Sequence, residues 1–225
     1  MGLALPFLIG FGLIIIVLTN IVFFMWAEFK IAGRVVDRYG PMETGRWHGW
    51  LQPFADIVKF LNKEDIVPAK SDKLIFRIAP FVGFVPMVMT LVAIPYADNL
   101  MVRSLDIGVF YIIALSSFTF VSMVMGGWAS NNKYGLIGAF RAAGQLLSYE
   151  LPLGLAIVGV AMVSGTLNLA GIVGHQTVWN IAVQPVGFLV FMVAMQAELL
   201  RSPFDLAGAE TEIVSGFSVE YSGMR

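Results

Sequence analysis

Six carboxylates set among apolar segments are the residues of this chain most able to do chemistry. Glu198, Asp205, Glu210, Glu212 and Glu220 fall in the stretch ELLRSPFDLAGAETEIVSGFSVEYSG (198–223), and Glu150 stands upstream beside another apolar run. An ionisable group against hydrocarbon is expensive, so it marks an ion or proton route, a substrate pocket or a tight structural pair. Crowded carboxylates near a low dielectric cannot all ionise cheaply, so some of Asp205, Glu210 and Glu212 are expected to exchange protons near neutral pH. The plain alternative is a solvated acidic loop. It is weakened by Pro203, Phe204, Leu206, Ile213, Val214 and Phe217, which interleave the acids and point to a folded, partly buried segment. Glu198 and Arg201 have the spacing of neighbours on one helix face, which reads either as a helix-end salt bridge or as part of an acidic path. Glu150 precedes Pro152, and proline is tolerated in the first turn of a helix. Glu150 is therefore expected to point into the bundle from the first turns of its span, forming a candidate relay with Glu198.

Other chemistries are disfavoured by composition. The chain has no cysteine, which removes thiolate-ligated zinc, iron–sulfur clusters and disulfides. Its two histidines, His48 and His175, lie in different loops and make no bis-histidine site alone. There is no glycine-rich phosphate loop, nucleophile triad or zinc motif, and nothing suggests a nucleic-acid partner. Any electrons must arrive on another chain.

The elements that position these acids are helices in a membrane. The 225 residues are 58% hydrophobic and 13% charged, with a mean hydropathy of +0.80, the composition of an all-α polytopic membrane protein. Five apolar spans, at roughly 3–27, 77–97, 107–128, 146–167 and 181–200, are each long enough to cross about 30 Å of hydrocarbon. The first exceeds a signal-peptide core and has no basic residue ahead of it, so it reads as an uncleaved helix. The segments 28–76, 129–145 and 201–225, with Arg77 at the border of the first, hold every Lys and Arg except Arg103. That asymmetry places them inside, the N-terminus outside and residue 225 inside.

In the first inside loop, Trp47, Trp50, Leu51, Phe54, Ile57, Val58 and Leu61 recur at helical spacing, with Asp56, Lys59, Asn62 and Lys63 elsewhere around the wheel. This predicts an amphipathic helix, lying in the membrane interface or packed on the bundle. Glu28, Lys30, Arg34, Asp37 and Arg38 alternate in sign, as a salt-bridged helical extension or a polar rim around a headgroup site would. No inverted repeat of the transporter kind is present, and residues 1–225 read as one membrane domain. The chain stops at Arg225, soon after the acidic loop and without a closing helix, which suggests an incomplete sequence.

These residues resemble one family. RSPFDLAGAETEIVSGFSVEYSG, with GRVVDRYGP (33–41), LQPFADIVKFLNKEDIVPAKSDK (51–73), GWASNNKYGLIGAFRAAGQLLSYE (127–150) and AELLRSPFDL (197–206), is similar to the quinone-site membrane subunit of respiratory complex I, found in bacterial NADH-quinone oxidoreductases and in their mitochondrial counterpart. The resemblance implies a fold of eight transmembrane helices, of which this chain would hold five. It implies inside loops that seal against a peripheral arm and shape a narrow quinone chamber. No cofactor is expected on this chain; FMN and iron–sulfur clusters would sit in partner subunits, with quinone as substrate. The partners implied are membrane-arm and peripheral-arm subunits and the lipid bilayer, and the location a bacterial inner membrane rather than a mitochondrial one. Glu150, Glu198, Asp205, Glu210, Glu212 and Glu220 would begin the hydrophilic path from quinone reduction to proton pumping. Arg34, Arg38, Trp47, Phe54, Arg201 and Phe217 would line the chamber or its entrance. Two departures stand out: Phe29 occupies a usual arginine position, and Gly208 a usual glutamate position in the acidic loop. Similar subunits serve cofactor-F420 dehydrogenases and membrane-bound hydrogenases. An ion transporter using Glu150 and Glu198, or a catalytically idle membrane anchor, are the readings outside that class.

Overall fold

The computed structural model describes residues 4–97 and 100–223. Residue 225, and with it the expected inside C-terminus, lies outside the described residues, as does the side chain of Glu210. Among the described residues the chain is helical, and its β pairing is an isolated bridge between Ala97 and Leu100. Two compact units form, one from residues up to Ile66 together with those from Ser222, the other from Val67–Tyr221.

The first unit is built on α1 (Ala4–Val35) and α2 (Gln52–Asn62). α1 continues past the expected end near residue 27 and carries Glu28, Lys30 and Arg34 as a helical extension, while Asp37 and Arg38 lie beyond its end. The helix stops where Asp37 takes a left-handed φ of 51°. The chain then doubles back so tightly that a Cβ on Gly33 would lie 2.9 Å from the Gly40 nitrogen, which is why glycine is needed there. The expected helix over 47–63 is shorter: Trp47, Trp50 and Leu51 fall in turns, with His48 and Gly49 at positive φ, and Pro53 sets the first turn of α2. The indole Nε1 of Trp26 donates to the His48 carbonyl at 3.1 Å and ties this turn to α1. Phe54, Val58 and Leu61 of α2 remain exposed.

The second unit holds α3 (Lys73–Thr90), α4 (Gly108–Ser116), α5 (Phe118–Ala129), α6 (Lys133–Ser164), α7 (Leu169–Gly174), α8 (Asn180–Val183), α9 (Pro185–Glu198), α10 (Glu210–Ile213) and a 3-10 turn at Gly216–Ser218. Side-chain caps start α3 and α6: Asp72 accepts from the Leu74 and Ile75 amides, and Asn132 from the Tyr134 amide. Gly165, at φ 68°, ends α6 in the left-handed conformation that glycine takes without penalty. The helices α4 and α5 meet at Ser117, whose backbone stays right-handed.

Small residues let the helices approach closely. A Cβ on Gly127 of α5 would lie 2.3 Å from the Ala139 Cβ and 2.5 Å from the Gly135 carbonyl oxygen of α6. Gly135, Gly138, Ala139, Ala142 and Ala143 keep one face of α6 thin and buried, the packing mode of membrane helices that have no hydrophobic drive to associate. Between α3 and α5, the Ser122 hydroxyl donates to the Ala79 carbonyl at 2.8 Å.

Among the described residues four helical segments are long and apolar enough to cross a bilayer: Ile9–Val35, Lys73–Thr90, Gly108–Ala129 (α4 with α5) and Lys133–Ser164. The chain is thus a polytopic helical membrane protein. Two expectations change. The segment 129–145, expected as a loop, is helical from Lys133. The resulting 32 residues of α6 run about 48 Å, well beyond a hydrocarbon core of about 30 Å. The fifth apolar segment makes a helix of only 14 residues, because the break at Gln184 separates α8 from α9.

Candidate functional site

Glu150 lies in the interior of α6 rather than in its first turns, since that helix starts at Lys133. Pro152 is likewise inside the helix, where its missing N–H leaves a carbonyl one turn back without its helical donor. The Ser117 hydroxyl, at the α4–α5 joint, donates to Glu150 Oε1. Glu198 closes α9, the helix that packs on α6. Glu150 is near enough for its charge to act directly on the half-buried Glu198 carboxyl. Glu198 Oε2 is buried and without a hydrogen-bond partner. The structure therefore brings together the two acids paired in the sequence reading.

Glu198 and Arg201 do not share a helix face. α9 ends at Glu198, Leu200 takes a left-handed φ of 50°, and Arg201 lies beyond that turn, so the helical spacing rule fails there. The loop after it is bound to α6 at several points. The Phe204 ring meets Tyr149 edge-on at 5.4 Å. The Gln145 amide nitrogen donates to the carbonyls of Ala197 at 2.8 Å and Phe204 at 2.7 Å. Glu212 pairs with Arg141 at 2.6 Å, and Glu220 accepts from the Asn132 side chain at 2.7 Å.

Phe217 sits in the 3-10 turn, which lies directly on α6: a Cβ on Gly138 would come within 2.5 Å of the Gly216 Cα and 2.8 Å of the Phe217 nitrogen. Tyr221 stacks on Phe76 of α3 with ring centres 4.1 Å apart and planes 4° from parallel. The acidic segment is a docked structure, not a solvated loop. Asp205 is exposed at its edge. A Cβ at Gly208 would lie 2.9 Å from Asp205 Oδ1, so in this chain the Asp205 carboxyl fills the space that a side chain at 208 would take. Glu210 opens α10.

The remaining candidates lie in the first unit. Arg34 and Arg38, with Lys30, Tyr39 and His48, line a cleft of about 760 Å³. Trp47 and Phe54, with Phe23, Trp26 and Trp50, line an aromatic cleft of about 780 Å³. Trp26 and His48 border both.

Ser117, Asn132, Arg141 and Gln145 were not singled out from the sequence. Three of them stand in the stretch GWASNNKYGLIGAFRAAGQLLSYE that carries the resemblance, which was the available signal. Among the described residues no group of His, Cys, Asp and Glu is arranged to hold a metal ion.

Comparison with known proteins identifies the family. The family model described as NADH dehydrogenase matches residues 9–225. The H subunit of NADH-quinone oxidoreductase from Anoxybacillus flavithermus is 48% identical over 225 residues, all of this chain and 68% of the relative. The same subunit of a Geobacillus species is 46% identical over the same share of both chains. That of Dehalococcoides mccartyi strain CBDB1 is 48% identical over 215 residues, 96% of this chain and 60% of the relative. The match covers the docked acidic segment, the α6–α9 pair and both clefts of the first unit, and this chain belongs to the NADH dehydrogenase family.

Proposed function

We propose that this chain is the membrane subunit of a proton-translocating NADH-quinone oxidoreductase, in which it walls the quinone chamber and begins the acidic path to the pump. The observation that carries this reading is the Glu150–Glu198 pair, held on facing helices beside the docked acidic segment. Electrons would come from FMN and iron–sulfur clusters of partner subunits in the peripheral arm, and quinone would be the substrate. Arg34 and Arg38 form the polar rim of its entrance and Trp47 and Phe54 the apolar one, with α2 lying in the membrane interface. Arg201 and Phe217 border the chamber.

Reduction of a quinone takes up protons along with electrons, so it changes the local charge. Asp205, Glu210, Glu212 and Glu220 respond first, because their segment carries the densest charge. The response passes to Glu198 at the end of α9 and on to Glu150 in α6. Low dielectric strengthens the last step, from the half-buried Glu198 to Glu150. The chain crosses a bacterial inner membrane five times, the last crossing made by α8 and α9 together, with the N-terminus outside and the acidic segment inside.

The test is NADH-driven quinone reduction and lumen acidification in inverted vesicles carrying this chain in its complex, wild type beside Glu198→Gln. Both signals in the wild type and a loss of both in the assembled variant are expected. Unchanged pumping in the variant removes Glu198 from the path, and absence of NADH dependence in the wild type assigns another electron donor.

A further inference from the structure

Gln145 is 6% exposed, and the two acceptors it faces are both backbone carbonyls. Only a donor satisfies a carbonyl, so the amide orientation is fixed with Nε2 toward Ala197 and Phe204. Its Oε1 must then point away. Among the described residues, Gln145 Oε1 and Glu198 Oε2 are the two buried side-chain atoms with no hydrogen-bond partner. They belong to helices that pack on one another, and Gln145 grips the carbonyl of the residue immediately before Glu198.

The two bonds from Nε2 have a mechanical meaning. One holds the last turn of α9, the other holds the loop beyond the left-handed turn at Leu200. A displacement of the 201–206 segment therefore pulls on the same nitrogen that fixes the base of Glu198. An amide oxygen with no protein donor in the interior is costly, and such an atom serves a bound water or ion or a group that takes part in the reaction.

We propose that Gln145 is the positioning residue of the acidic path: it couples the 201–206 segment to Glu198 through the Ala197 and Phe204 carbonyls, and its Oε1 accepts a proton donor that reaches Glu198 Oε2. This rests on the function proposed above. Gln145 acts through Glu198, so its removal matters only while Glu198 is present.

The experiment is a double-mutant cycle in the assembled complex in inverted vesicles, comparing wild type, Gln145→Met, Glu198→Gln and the double variant for NADH-driven lumen acidification. Methionine keeps the length and volume but donates nothing. Loss of both bonds should lower the acidification rate by about fivefold or more, and the double variant should match Glu198→Gln alone, because residues acting as a unit are not additive. A wild-type rate for Gln145→Met, or a loss that multiplies with that of Glu198→Gln, overturns the proposal. A wild-type rate for Glu198→Gln itself overturns the acidic path first and the positioning role with it. If the methionine variant does not assemble, Gln145→Leu, which also has no donor, takes its place in the same cycle with the same outcomes.

Discussion

A close backbone approach in the acidic segment gives the sharpest prediction. Gly138 of α6 lies against the 3-10 turn so tightly that an added Cβ would come within 2.5 Å of the Gly216 Cα. The opposing atoms are backbone, so no side chain can swing aside. Gly216 cannot retreat either, because it sits at φ 55° with the Ala207 carbonyl immediately behind it. The substitution Gly138→Ala must therefore push the turn off the helix by roughly an ångström, an overpacking cost of about 1–3 kcal/mol. That is a shift of about five- to 160-fold in the docking equilibrium of the segment. The readout is a thiol. The chain has no cysteine, and Ala207 is 0% exposed, so an Ala207→Cys reporter reacts with a maleimide only when the segment opens. Its labelling rate, followed on this chain by mass, should rise by that factor when Gly138→Ala is added. Gly144→Ala is the control: it lies on the same helix with nothing within 4 Å of the new Cβ, and alanine is the better helix former. Equal labelling in the Gly138→Ala and Gly144→Ala backgrounds would refute the close-approach argument.

The other perturbations are smaller or act on turnover. Ser117→Ala removes the hydroxyl that donates to Glu150; a bond to a charged acceptor contributes about 1.5–3 kcal/mol, so lumen acidification should fall at least tenfold, Ser117→Thr should retain most of it, and equal rates in the two variants would dismiss the contact. Arg141→Ala breaks the pair with Glu212, whose side chains are 41% and 60% exposed. Solvent screens such a pair, so the docking loss is about 0.2–1 kcal/mol. The labelling difference from wild type should shrink as salt is raised, and a salt-independent difference would assign it to packing.

The hydropathy of the chain made the apolar centres of α1, α3, the α4–α5 pair and α6 legible, because a long uninterrupted apolar run is a length signal. Their ends were not legible. The first turns of α6 hold Gly, Ala, Arg and Gln, which lower hydropathy, yet those small residues are what let α5 and the 3-10 turn lie against the helix. The crowding of acids in one stretch was visible; their partners were not, since Arg141 stands 71 positions from Glu212 and Asn132 stands 88 from Glu220. The Glu198–Arg201 spacing misled because it presumed a helix through Arg201, and nothing in Leu199-Leu200 announces a left-handed turn. Gln145 was missed for a related reason. An amide means little until the carbonyls facing it are known.

The joint at Ser117 has a logic of its own. Its hydroxyl carries a single proton, yet two acceptors lie within reach: the Ile113 carbonyl one turn back and the carboxylate of Glu150. Only one can hold that proton at a time. A charged Glu150 outbids a neutral carbonyl and draws the hydroxyl across to α6. The bond to Ile113 is back-bonding of the kind that bends a helix. The serine thus ties the α4–α5 joint to α6 through one proton that two acceptors share.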